Sequence, residues 1–146
     1  MSCVARGEET VPGSIDAVFA EFTDYRTWTA WMPPLFRPVW GPSRPLREGD
    51  RLVVRLGALP TVLKIERLRA PHEVCWAGGI PGFLHARHTF SFEPTPEGST
   101  RIESAEPWTG VLTTATPVAK AIVRSAEAVG RAQLRQFRKW MVERRG

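Results

Sequence analysis

Tyrosine occurs once in this 146-residue chain, cysteine twice and histidine three times, and each scarcity removes a class of function. Cys3 and Cys75 form neither a C-x-x-C pair nor a metal-ligand spacing, so no disulfide framework and no zinc site is expected. Two free thiols fit a reducing cytoplasm. No run of 18 apolar residues is present, which excludes a membrane-spanning helix, and the segment MSCVARGEET lacks the apolar stretch of a signal peptide. The nucleophile and metalloprotease motifs G-x-S-x-G, S-x-x-K and H-E-x-x-H are missing. The glycine-rich run Gly78–Gly82 lies between two expected strands and opens no helix, so it is not a phosphate cradle. His85 and His88, three apart on an expected strand, point to opposite faces and cannot share a metal ion. No metal and no other cofactor is expected.

Large apolar rings are plentiful: six tryptophans and seven phenylalanines within a hydrophobic content of 42%. Each ring buries roughly 150–250 Å², so together they build a core or line an apolar cavity. The length suits one domain, residues 1–146, with a core of its own. The net charge of +5 is unevenly placed. From Val111 onward there are eight bases and two acids, whereas the first 110 residues hold twelve bases and thirteen acids. The basic character belongs to the last segment alone.

That segment, Pro117 to Arg145, has the pattern of one helix roughly 43 Å long. Thr116 suits the N-cap and Pro117 the first helical position. Val118, Ile122, Val129, Leu134, Phe137 and Met141 form an apolar stripe, and Lys120, Arg124, Arg131, Arg135 and Arg138 a basic face. Gly130 interrupts the helix beside the stripe at a cost of about 1 kcal/mol relative to alanine. It points to a close approach to another element, a bend, or room for a ligand.

Upstream, Val4 to Val11 predicts a strand closed by Pro12-Gly13. Ser14 caps a short helix carrying Ile15, Val18, Phe19 and Phe22, and Asp24 caps a second helical turn carrying Trp28 and Trp31. Met32-Pro33-Pro34 stops it. Six further strands are predicted at Arg37–Trp40, Arg51–Leu56, Thr61–Leu68, Glu73–Ala77, His85–Phe92 and Thr100–Trp108. Gly78–Gly82 should break the fifth strand of the chain. The result is an α+β chain: a seven-stranded antiparallel meander with one apolar face, covered by the only element long enough to do so.

Asp24-Tyr25-Arg26-Thr27-Trp28 followed by Trp31-Met32-Pro33, then Gly49-Asp50, Pro81-Gly82-Phe83-Leu84-His85-Ala86-Arg87-His88-Thr89-Phe90, Gly98-Ser99-Thr100-Arg101 and Glu106-Pro107-Trp108-Thr109-Gly110 together resemble the polyketide cyclase/dehydrase and lipid-transport superfamily, also called SRPBCC or START-like. Met32 stands where that pattern usually has asparagine, and Arg87 where an acid is common. The resemblance implies a helix-grip fold. Its sheet curls around the C-terminal helix, a cavity lies between them, and two short helices after the first strand close one end. It implies lipids, polyketides, steroids or hydrophobic aromatics as ligands.

Two polar residues stand out against the inward apolar pattern. His88 shares a face with Phe90 and Phe92, and Glu106 shares one with Ile102, Ser104 and Trp108. If Phe92 lies opposite Ile102, then His88 lies opposite Glu106; a two-residue shift sets it opposite Ser104. Either register puts the Cβ atoms roughly 4.5–8 Å apart. The pair is read three ways: a satisfied structural pair, an anchor for a ligand hydroxyl or carbonyl, or an acid/base couple. Trp31, Leu63, Ile65, Trp76, His88, Phe90, Ser104, Glu106 and Trp108 are the expected cavity lining, although any one tryptophan also fits an ordinary core.

The first functional expectation is a cytoplasmic protein that binds a small hydrophobic or amphipathic molecule in an interior cavity of roughly 300 Å³ or more. The alternative is a cyclase or dehydratase using His88 and Glu106. A third reading takes the basic helix face to nucleic acid or an acidic surface. No recognition motif or interleaved aromatics accompany those charges, so a solvated face is the expectation, with no nucleic-acid partner and no integral membrane contact. The oligomeric state is open, a homodimer included.

Overall fold

Seven runs of alternating side chains become strands in the computed structural model, which describes residues 3–145. They are β1 (Val4–Val11), β2 (Phe36–Trp40), β3 (Arg51–Leu56), β4 (Leu59–Arg69), β5 (Glu73–Ile80), β6 (Leu84–Pro94) and β7 (Thr100–Thr109). All pairs are antiparallel, in the order β1-β7-β6-β5-β4-β3-β2. Period-two alternation puts Leu52, Val54, Leu63, Ile65, Phe90, Phe92 and Ile102 on the inner face, all buried. His85 and Arg87 face outward, and Arg87 Nε donates to Glu66 Oε2 at 2.8 Å on that outer side.

The expected break at Gly78 does not occur, because β5 runs on through Gly78 and Gly79 to Ile80. Glycine there permits a close approach rather than ending the strand. Gly79 has φ +104°, and a Cβ on it would lie 2.3 Å from the carbonyl oxygen of Leu84. β4 likewise starts earlier than expected, at Leu59.

Between β1 and β2 lie α1 (Ile15–Phe22) and α2 (Trp28–Trp31). Ser14 Oγ accepts the Ala17 N–H at 3.3 Å, capping α1. Asp24 Oδ1 accepts from Arg26 N–H at 3.1 Å and opens a 3₁₀ turn that runs into α2. Together they deliver Phe22, Trp28 and Trp31 to the inner face. Phe22 is the hub of the ring cluster, with centroids 4.8 Å from Phe90, 5.0 Å from Phe137, 5.3 Å from Phe92 and 5.4 Å from Trp31.

The last element, α3 (Thr116–Arg145), lies against β1, β7 and α2. Thr116 is inside the helix and not its cap: the Ala119 N–H bonds to the Ala115 carbonyl at 2.9 Å, so the helix starts one residue earlier than expected. Proline is tolerated anywhere in that first turn. The inward line is Ala119, Ala126, Gly130, Gln133, Leu134, Phe137 and Met141, all buried, whereas Val118 is 41% exposed. Hydrophobicity alone misplaced Val118 in the stripe and left out the small residues. The five residues of the basic face are all exposed. No helix among the described residues is long and apolar enough to cross a membrane.

Candidate functional site

The inner face changes character along β6 and β7. The pairs Phe92↔Ile102 and Phe90↔Ser104 on one side and Ala86↔Trp108 on the other bring His88 level with Glu106, the first of the two registers weighed above. Level with Arg87 is Pro107, which has no N–H to give to the ladder. On its other side His88 pairs with Trp76 of β5.

Each imidazole nitrogen faces an oxygen of β7. Nδ1 lies 3.2 Å from Glu106 Oε2, and Nε2 lies 2.6 Å from Ser104 Oγ. An ionised carboxylate only accepts, so Nδ1 carries the hydrogen. In the neutral ring Nε2 is then the acceptor, and the Ser104 hydroxyl donates to it. Of the two registers drawn from the sequence, the one with Glu106 opposite His88 is realised, and Ser104, one step along the same face, makes the hydrogen bond to the ring. The ring also stacks on Phe90 at 4.0 Å between centroids and 27° between planes, and meets Trp76 at 5.7 Å.

This row crosses from interior to surface. His88 and Ser104 are buried, whereas the Glu106 side chain is 16% exposed. In that tautomer the Ser104 hydroxyl donates to His88 Nε2, and Nδ1–H faces the Glu106 carboxylate 3.2 Å away. Such a row can hold a ligand hydroxyl or carbonyl, or pass a proton between a bound group and Glu106.

Above the row lies Gly130 of α3. A Cβ built on it would be 3.9 Å from both His88 Cε1 and Ser104 Oγ. The helix–sheet interface is sealed on the C-terminal side of this point, where Leu134 and Phe137 are fully buried and Phe137 meets Trp31 at 4.8 Å. On the N-terminal side Ile122, Val129, Glu106 and Trp108 are half-buried, and α3 presents the small, buried Ala119 and Ala126. The indole Nε1 of Trp108 is buried with no partner among the described residues.

The remaining expected lining residues separate into groups. Trp76 and Phe90 join the polar row to the ring cluster. Trp31, Leu63 and Ile65 are buried in the packed core. Trp28 is fully buried, with Nε1–H donating to the Phe22 carbonyl at 2.9 Å. The rings fill the middle of the sheet. Two open grooves, of about 440 and 340 Å³, run along the outer side of α3 instead. They share Glu9, Arg138 and Val142, so acids and bases alternate there. Arg138 is also 3.7 Å from Glu9, and Arg144 3.1 Å from Glu21, so part of the basic surplus is already matched.

Sequence reasoning passed over Gln133. It is 1% exposed, and its Oε1 has no partner among the described residues. The signal was available: Gly130, Gln133 and Phe137 fall at i, i+3 and i+7, one face of a helix.

Burial pushes the thiols of Cys3 and Cys75 up from the ordinary range. Asp24 is held below the ordinary carboxylate range by its hydrogen bonds to Arg26, and Asp50 by those to Arg44.

Comparison with known proteins bears on this arrangement at the level of fold. The di-domain ARO/CYC StfQ from the steffimycin biosynthetic pathway superposes with a TM-score of 0.77 at 18% identity, over 100% of this chain and 52% of that one. This chain thus spans about half of StfQ. Hypothetical protein jhp0584 of Helicobacter pylori has a TM-score of 0.73 at 17% identity, covering 94% of this chain and 87% of its own. MLL2253 of Mesorhizobium loti has 0.73 at 13%, with 97% of each chain covered. No curated protein matches the chain. The sequence pattern of polyketide cyclase/dehydrase and lipid transport proteins matches residues 2–141, and with the seven-stranded sheet and long terminal helix in place the chain belongs to that family.

Proposed function

We propose that this protein binds a small hydrophobic or amphipathic molecule between the sheet and the N-terminal half of α3, with its polar group on the Ser104–His88–Glu106 row. The observation that carries the reading is the row itself. Three polar side chains, Ser104 hydrogen-bonded to His88 and Glu106 3.2 Å from the other ring nitrogen, stand on an otherwise apolar face under a glycine, flanked by half-buried residues of α3 and β7. Burying such groups is costly unless they are paired, and this row leaves the Ser104 oxygen facing the space beside Gly130. The family and the ARO/CYC relationship of StfQ support a lipid-, polyketide- or aromatic-type ligand.

Native mass spectrometry of the purified protein, together with titration of 1-anilinonaphthalene-8-sulfonate, tests it. A co-purified small molecule or saturable probe binding is expected in the parent protein and is lost in Gly130→Leu, which fills the space over His88. Binding of equal strength in both proteins, or none in either, overturns the reading.

A second reading is supported by the same bonds: a cyclase or dehydratase in which His88 takes and returns a proton and Glu106 orients it. It requires His88→Ala to abolish turnover of a polyketide-like substrate while binding remains measurable. Equal loss of binding and rate would leave His88 as an anchor only.

A further inference from the structure

The ligand reading leaves one polar group on α3 without a role. Gln133 lies one turn beyond Gly130 and one turn before Phe137, on the line of α3 that faces the sheet and α2. Its neighbour Leu134 packs on β1, where its Cδ1 is 3.6 Å from the Cβ position of Gly7. Gln133 is 1% exposed, more buried than His88 or Ser104, and Oε1 has no hydrogen-bond donor among the described residues. Buried amide oxygens are almost always paired, and an orphan is unfavourable in a packed interior. Leucine or methionine at this position would fill the same volume with no orphan, so packing does not account for an amide.

We infer that Gln133 is a specificity-determining residue whose Oε1 accepts a hydrogen bond from a hydroxyl on the bound molecule. The inference rests on the ligand reading above and narrows it to phenols, enols and other hydroxylated rings. Ser104 and His88, across from Gly130, supply a second polar contact roughly one helical turn away along α3. A molecule with a donor group toward Gln133 and an apolar ring system satisfies both walls. One that carries only acceptors has no hydrogen to give Oε1 and leaves it unpaired.

Three probes of similar shape separate the possibilities: 2-naphthol, which donates and accepts; 2-methoxynaphthalene, which only accepts; and naphthalene, which does neither. Isothermal titration is expected to show 2-naphthol binding at least tenfold tighter than 2-methoxynaphthalene in the parent protein. In Gln133→Met the ratio falls to near one, and the ligand-free variant melts higher than the parent because the orphan acceptor is gone. Equal affinity of the first two probes in the parent, or a ratio that survives in Gln133→Met, overturns the inference while leaving the ligand reading intact. Failure of all three to bind overturns both. If Gln133→Met does not fold, the side-chain amide ¹H–¹⁵N signal of Gln133 carries the test. It is expected to move with 2-naphthol and not with 2-methoxynaphthalene, and an unmoved signal or identical shifts would overturn the assignment.

Discussion

Gly130 of α3 stands over His88 of β6, with its Cβ position 3.9 Å from the imidazole Cε1. A methyl group fits at that distance. Gly130→Ala should therefore raise stability by about 1 kcal/mol, the ordinary difference between glycine and alanine inside a helix. Thermal unfolding measures this. Destabilisation instead would show that α3 needs its glycine for a bend and not for the space beside the site.

The three members of the polar row are not equivalent. His88→Ala removes a buried ring that stacks on Phe90 and leaves the Ser104 hydroxyl without its acceptor. The expected cost is about 2–4 kcal/mol. Glu106 is nearer the surface, so Glu106→Gln, which keeps an acceptor for Nδ1–H, should cost about 1 kcal/mol or less. Urea unfolding of both variants tests the order, and a larger loss from Glu106→Gln than from His88→Ala would contradict it.

Phe22 links α1 to both the sheet and α3 through five aromatic contacts. Phe22→Ala should cost about 3–5 kcal/mol, because the surrounding rings are held by separate elements and cannot collapse into the space. The exposed Trp40 provides the control. Trp40→Ala should change stability by less than about 0.5 kcal/mol, in line with surface substitutions generally.

Acid should weaken the loop that leads into β3. Asp50 accepts from Arg44 through two bonds of 2.9 Å and from the Arg47 N–H at 2.7 Å, and the Arg44 hydrogen bonds are the main cause of its lowered pKa. A carboxylate whose folded pKa lies below its unfolded value binds fewer protons when folded. Its contribution is therefore full above the ordinary value of 3.8 and is lost as pH falls through the lower, folded one. Asp50→Asn should reduce the difference in melting temperature between pH 6 and pH 3. An unchanged difference would show that the Arg44 pair contributes nothing, as is common for pairs this close to solvent.

Much of this molecule can be read directly from the order of its residues, because the information is local. Period-two alternation placed β1, β3 and the cores of β4, β6 and β7. Ser14 marked the start of α1, and the spacing of bases put the charged face of α3 in solvent. The motif around Pro81–Phe90 and Glu106–Gly110 led to the family. Local signals also misled at three points: Gly78-Gly79 looked like a break, Thr116 like a cap and Val118 like part of the stripe. At Gly79 the packing of the next strand decided the outcome, with the Leu84 carbonyl closing on it; at Thr116 it was the backbone bond from Ala119 to Ala115.

The sequence by itself determined which side chains of the core strands face inward, since the period of two is a property of the extended backbone, and it singled out His88 and Glu106 as polar residues on an apolar face. It left two registers for that pair and said nothing of Gln133. Only the tertiary structure chose the register, set both imidazole nitrogens against partners sixteen and eighteen residues away, and packed the rings into the middle of the sheet. The physical reason is that pairing register and layer spacing depend on how whole elements pack, and that packing turned Gly130 from an interruption in a helix into the roof of a candidate site.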